Sequence, residues 1–252
     1  MAIPRNCERQ SEGYLIAMQD QPLFNRAGYD ITVTDIHKAY RTGADEYRAL
    51  QGISCAFARG HVTIIQGPSG CGKSTLLNMV GGVDHPDRGS VQVGGRDLGK
   101  TVADKEMAEY RLLQVGFVFQ AYNLISGLSA LENLQLPMAV AGLKRPEQTA
   151  RAKQLLGLVG MAAKCEKKPD ALSGGEQQRV AIALTLVNDP PVILADEPTG
   201  NLDTANAKRV VDLLCSLAHE HGKTVIITTH DPVVSQRGDQ VLHMRDGQFE
   251  RA

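Results

Sequence analysis

Residues Gly67 to Ser74 read GPSGCGKS, which fits the pattern G-x-x-x-x-G-K-[ST]. Glycines at these positions let successive backbone N–H groups close around phosphate oxygens. A helix starting at the loop would add partial positive charge. Lys73 is then placed to reach β- and γ-phosphates, and the Ser74 hydroxyl offers an oxygen to Mg²⁺. Cys71 lies inside the loop, where a helix start can lower a thiol pKa. The plainer account, a small residue at a permissive position, is preferred for it.

Three further stretches carry groups that could act on a phosphate. VILADE ends an apolar run with Asp196 and Glu197. Neighbouring strand residues point to opposite faces, so the two carboxylates can do different work. Asp196 suits Mg²⁺, usually through water, and Glu197 suits orienting and deprotonating an attacking water. An acidic pair after a strand is common by itself and gains weight only beside a phosphate loop. VIITTH puts His230 at another strand end, where it could converge with Glu197 on a γ-phosphate. The other six histidines are assigned to structural or solvated roles. Gln120 follows VGFVF and could touch Mg²⁺ or water, although by itself it reads as a surface glutamine.

A second glycine-rich start, Ser173-Gly174-Gly175-Glu176, opens the run SGGEQQRVAIAL. It fits a capping box, with serine as the N-cap and glutamate three residues on. That box does not require glycine between its ends, and glycine costs up to about 1 kcal/mol per position against alanine. Bare N–H groups open to an oxyanion would account for the choice.

The elements that must position these groups follow from periodicity. DITVTDIHKAY, YRALQGISCAFARG and GSVQVGG alternate as half-buried strands do, and are expected to surround one buried strand, HVTIIQ, that feeds the first loop. SALENLQLPMAVAG, PEQTARAKQLLGLVGM and EQQRVAIALTLV carry apolar residues at helical spacing. They predict a helical lobe over about 121–187, with Asp170 in a turn. PVILADE, a helix over TANAKRVVDLLCSLAHEHG and KTVIITTH restore an α/β body with a parallel sheet. DQVLHMRDGQFE reads as a closing hairpin. Residues 1–29 show no sustained period and are expected to be a flexible or loosely packed extension before a domain over 30–252.

The chain has 252 residues, with 27 Lys and Arg against 28 Asp and Glu. A net charge of −1 gives no basic footprint for nucleic acid. Cysteines 7, 55, 71, 165 and 215 include no CxxC pair and are odd in number, which disfavours a disulfide framework or zinc site and fits a reducing cytosol. No apolar run approaches the roughly 18 residues of a membrane span. GYLIAM (13–18) is too short for a signal-peptide core.

Taken in order and spacing, GPSGCGKST, Gln120, LSGGEQQ, VILADEPTGNLD and TTH resemble the ATP-binding-cassette (ABC) ATPases over about 31–250. FVFQAYNLI, ALENL and ADEPTGNLD are similar to the branch of lipoprotein-release, macrolide-export and cell-division ATPases. The resemblance implies an α/β fold with a P-loop NTPase (RecA-like) core, an antiparallel β subdomain and the inserted helical subdomain. It implies ATP and Mg²⁺, with Gly67, Pro68, Ser69, Gly70, Cys71, Gly72, Lys73, Ser74 and Thr75 around ATP and Ser74, Gln120 and Asp196 on Mg²⁺. Glu197 and His230 would be catalytic. It further implies a head-to-tail pair of cassettes, a homodimer in the simplest case, in which Ser173, Gly174, Gly175, Gln177 and Asp203 act on the partner's ATP. Tyr40, 27 residues before Gly67, matches the adenine-stacking aromatic, with Tyr47 as its rival.

The implied protein is an ATP-hydrolysing transporter subunit, cytoplasmic and held peripherally on the inner face of the cell membrane by separate permeases, with export or extraction favoured. Tyr122, Leu124 and Leu128 are the candidate docking residues, although a satisfied core would explain them equally. Leu184 departs from the branch, where arginine is frequent, and residues 1–29 exceed the usual start. The alternatives are a soluble cassette ATPase acting on DNA or ribosomes, disfavoured by a Lys73-to-Ser173 span without heptads or CxxC, and a regulatory ATP binder, disfavoured by Glu197 and His230.

Overall fold

The computed structural model describes residues 23–250 apart from 44, 100 and 101. Two sheets form the body. The first is antiparallel, in the order β2-β1-β4-β5, from β1 (Ile31–Thr42), β2 (Asp45–Phe57), β4 (Arg88–Val93) and β5 (Arg96–Asp97). The second runs β10-β9-β3-β8-β7-β6, from β3 (Val62–Gln66), β6 (Val115–Val118), β7 (Val192–Asp196), β8 (Thr224–Thr229), β9 (Gln240–Arg245) and β10 (Gln248–Phe249). It is parallel except for β10, which returns on β9 as the expected hairpin.

HVTIIQ therefore does not sit among the antiparallel strands as expected. β3 pairs in parallel with β8 and β9 in the other sheet. The reason lies in its sequence, a continuous apolar run that needs cover on both faces rather than one. Ile64 packs with the helical-lobe core and Ile65 with the core beneath the antiparallel sheet. The same alternation splits Ile193 and Ala195 from Val192 and Leu194 on β7, and Val225 and Ile227 from Ile226 on β8.

Seven helices accompany these strands among the described residues: α1 (Lys73–Val80), α2 (Asp104–Leu113), α3 (Ala130–Val140), α4 (Arg145–Leu158), α5 (Gly174–Thr185), α6 (Thr204–His219) and α7 (Pro232–Ser235). The helical lobe consists of α3, α4 and α5. Asp170 lies in a short 3₁₀ turn, Pro169–Ala171, before α5. Sequence periodicity missed α2, because only Met107 and Tyr110 of its ten residues are buried and the rest is polar.

Residues 23–29 are not the loose extension expected of them. The backbone N–H groups of Asn25 and Arg26 donate to Asp189 Oδ2 at 2.8 and 3.0 Å. The Arg26 guanidinium reaches Leu113 O and Gln114 Oε1, both at 2.6 Å. Lys223, fully buried, donates to Arg26 O at 2.6 Å and pairs with Asp189 Oδ1. Burial lowers the Lys223 pKa despite the facing carboxylate. A buried ammonium needs every acceptor within reach, and this stretch supplies one. The rest of the predicted extension, 1–22, lies outside the described residues.

Candidate functional site

Strand register brings the reactive residues to one edge. Gln66 pairs with Thr229, Asp196 with Thr228, and Val118 with Ala195, so β3, β6, β7 and β8 end together. Ligands of open parallel sheets collect beyond such ends. Gly67 leaves β3, Gln120 follows β6, Glu197 leaves β7 and His230 follows β8.

The loop from Gly67 has little freedom in its sequence. A Cβ on Gly67 would overlap Met244 O and the Cys71 sulfur. Gly72 caps α1 at φ 108°, a left-handed conformation that favours glycine, and faces Ala49 O. Gly70 has φ 80° and nothing within 4 Å of its missing side chain, so the space beside it is open. Cys71 is 4% exposed and fills the interior of the loop. Lys73 is 5% exposed and donates to Gly67 O at 2.8 Å and Pro68 O at 3.0 Å.

A cavity of about 320 Å³ is lined by Tyr47, Ser69, Gly70, Gly72, Lys73, Ser74, Thr75, Gln120, Asp196 and Glu197. Asp196 Oδ1 accepts the Thr228 hydroxyl at 2.6 Å, which fixes one side of the carboxylate. Glu197 adopts φ 46°, a left-handed backbone rare for a side chain this long, costing on the order of 1–3 kcal/mol. Its N–H donates to Thr228 O at 3.1 Å. Its Oε1 lies 3.5 Å from Lys73 Nζ and its Oε2 2.6 Å from His230 Nδ1. One carboxylate thus touches both the loop cation and the histidine. The Ser74 hydroxyl, the Gln120 amide and the Asp196 carboxylate are hard oxygen donors around the same cavity, a set that suits Mg²⁺.

Of the two candidate aromatics, Tyr47 lines the cavity and donates to Gly70 O. Tyr40 is its cross-strand partner on β1. The Tyr40 hydroxyl donates to Asp84 Oδ2 at 3.0 Å, and burial together with that carboxylate raises its pKa. Pro68 is bonded to Lys73 but does not line the cavity.

Ser173, Gly174, Gly175, Gln177 and Asp203 do not line it either. Ser173 N–H donates to Glu176 Oε2 at 3.1 Å, one half of the capping box. A Cβ on Gly174 would meet the Tyr122 hydroxyl at 3.0 Å, and one on Gly175 the Asn206 amide at 3.0 Å. A side chain at either position would push the end of a side chain of the same subunit by a few tenths of an ångström. Gln177 Nε2 donates to Pro169 O at 3.1 Å and Leu172 O at 3.2 Å. Asp203 caps α6 by accepting Asn206 N–H at 2.9 Å, and its pKa is lowered by the backbone and side-chain bonds from Asn206. Thr228, Tyr122 and Asn206 were missed as supports. Thr228 was legible within TTH, whereas the other two depend on contacts across the chain.

The expected docking residues divide. Leu124 packs against the helical-lobe core and Tyr122 faces Gly174. Beside them lies an apolar groove of about 430 Å³ that includes Phe117, Phe119, Ile125, Leu136 and Leu184. Phe117 and Phe119 stack within it at 5.0 Å between ring centres. Leu184 thus keeps apolar a position where arginine would add charge.

Comparison with known proteins places relatives beside this geometry. A family profile described as "ABC transporter" matches residues 50–200, and one described as "AAA domain, putative AbiEii toxin, Type IV TA system" matches 166–235. The macrolide export ATP-binding/permease protein MacB of Bradyrhizobium diazoefficiens is 44% identical over 86% of this chain, which spans 33% of that protein. The lipoprotein-releasing system ATP-binding protein LolD of Chromohalobacter salexigens is 38% identical over 93% of this chain and 98% of its own length. A dimeric ATP-binding cassette solved in a post-hydrolysis state with ADP and Pi superimposes with TM-score 0.82 at 38% identity, covering 88% of this chain and 97% of the other.

Proposed function

The chain belongs to the ABC transporter ATPase family, and on that premise we propose that it closes around ATP as a homodimer and drives separate membrane permeases in export or extraction. Its activity is ATP hydrolysis coupled to transport. The observation that carries the reading is the single Glu197 carboxylate set between Lys73 and His230 at the mouth of the loop cavity.

In this reading the backbone at Gly70 and the N–H groups through Thr75 hold the phosphates, with Lys73 neutralising the β- and γ-oxygens. Lys73 then exchanges the Gly67 and Pro68 carbonyls for phosphate. Ser74, Gln120 and Asp196 would hold Mg²⁺, which supplies charge stabilisation on the phosphates. Glu197 takes a proton from the attacking water, and His230 holds that carboxylate in place. Tyr40 stacks on the adenine, worth about 1–3 kcal/mol, with its cross-strand partner Tyr47, which lines the cavity, as the rival for that place. Ser173, Gly174 and Gly175 face the γ-phosphate of the partner's site, Gln177 stands beside them, and Asp203 bridges the subunits near both sites. Two features support a second subunit for that part. These residues stand outside the cavity of their own chain, and the matching solved cassette is dimeric.

No helix among the described residues is long and apolar enough to cross a membrane. In this reading the permeases are other polypeptides, which the match to 98% of the length of a relative named an ATP-binding protein favours; they dock in the groove at Phe117, Ile125 and Leu184, and the chain sits peripherally on the inner face of the cell membrane. The test is capture from detergent-solubilised membranes by the Glu197→Gln chain with ATP. Retention of a multispanning membrane protein, reduced by Leu184→Glu, is the expected result. Retention of DNA or ribosomes with no membrane protein would overturn the transporter assignment.

A further inference from the structure

Both carboxylate oxygens of Asp203 are engaged by one residue. Oδ1 accepts the Asn206 backbone N–H at 2.9 Å, and Oδ2 accepts the Asn206 side-chain Nδ2 at 2.6 Å. The first bond is what a helix N-cap requires. The second is not. The other end of the same amide, Asn206 Oδ1, accepts from Arg179 Nη1 at 2.9 Å.

Arg179 lies on α5, four residues after Gly175, so both face the same way from that helix. The Asn206 amide also occupies the space that a Gly175 side chain would take. Its donor end meets an anion and its acceptor end a cation, which is the orientation an asparagine satisfies and an aspartate cannot. One amide therefore joins α5, bonded at Arg179 and packed beside Gly175, to Asp203 at the N-cap of α6.

We propose that Asn206 is a positioning residue for ATP hydrolysis, holding Asp203 at a fixed distance from Gly174 and Gly175 so that both reach the partner's nucleotide as one edge. This rests on the head-to-tail reading above. Asn206 itself touches no nucleotide. It acts by sparing the dimer from ordering two separate segments at closure.

The experiment uses Glu197→Gln protein and ATP-dependent dimerisation by analytical ultracentrifugation. Asn206→Ala is chosen because alanine is the best helix former. It is expected to raise the dimer dissociation constant about tenfold, the scale of a lost charge-assisted hydrogen bond. Nucleotide affinity of the monomer and melting temperature should stay unchanged. Asn206→Asp, which sets a second carboxylate against Asp203, should weaken the dimer further. Arg179→Ala added to Asn206→Ala should cost little more. Unchanged dimerisation in both Asn206 variants overturns the relay and leaves the sandwich standing. Failure of the Glu197→Gln parent to dimerise with ATP overturns both.

Discussion

His230 Nδ1 lies 2.6 Å from Glu197 Oε2, and both residues leave the ends of adjacent parallel strands, β8 and β7. The imidazole thus fixes the orientation of the carboxylate. Glu197→Gln is expected to bind ATP and to lose about 10²–10⁴-fold in turnover, the scale of general-base catalysis. His230→Ala, which only frees the carboxylate, should lose about 10²-fold or less. Phosphate release under saturating ATP measures both, and a faster Glu197→Gln than His230→Ala would reverse the assignment.

Lys73→Ala removes the cation of the cavity and two bonds that hold the loop, to Gly67 O and Pro68 O. Nucleotide binding should be abolished in equilibrium titration with fluorescent ATP. Wild-type affinity in this variant would leave the phosphate cradle without support.

Composite sites can be counted. Mixing Ser173→Arg chains with Lys73→Ala chains should give heterodimers with at most one competent site. Heterodimers purified by two tags and assayed for turnover decide the matter, since two fully active sites would exclude action in trans.

Lys223→Met leaves Asp189 buried opposite an apolar side chain. Loss of one partner of such a pair costs about 3–5 kcal/mol. Urea unfolding should show that loss, and adding Asp189→Asn should return part of it. Asparagine tolerates the positive φ of 51° at this position and can still accept from Asn25 or Arg26. A loss below 1 kcal/mol, roughly that of a surface pair, would show that the pair is dispensable.

Acid should destabilise the protein by a nameable route. Asp84 is partly buried, which works to raise its pKa, but bonds from Lys38, the His85 N–H and Tyr40 outweigh this and lower it. Glu176 is lowered by Lys164 and the Ser173 N–H, and Asp203 by Asn206, but these bonds are exposed to solvent and add little to stability. A carboxylate depressed in the native state contributes stability above its unfolded pKa, and that contribution is lost as pH falls through the folded value. The urea midpoint should therefore be flat near neutrality and fall below about pH 4. Asp84→Asn should shallow that fall. A midpoint constant to about pH 3 would contradict the assignment.

Much of this was legible because chemistry and periodicity coincide at strand ends. Gly67–Ser74, Asp196, Glu197 and His230 each follow a continuous apolar run, so spacing alone predicts a shared edge. The partition of strands between sheets was not legible in the same way. β3 reads as a continuous apolar run and β1 as an alternating one, but the sequence does not say which strands a doubly buried strand will pair with. α2 was hidden by having just Met107 and Tyr110 to bury. Gly174 and Gly175 read as bare amides, yet their neighbours Tyr122 and Asn206 are distant in sequence and carry no periodic signal.

The stretch at 23–29 separates two boundaries that are easily taken for one. Resemblance begins near residue 31, but hydrogen bonds to the body begin upstream of it, at Asn25 and Arg26. A fragment cut at the first strand would keep Lys223 and Asp189 facing each other, yet strip the ammonium of the Arg26 carbonyl and the carboxylate of two amide donors. Such a truncated cassette would retain every group proposed to face nucleotide and still be a poorer object for crystallisation or assay than one beginning ahead of Leu23.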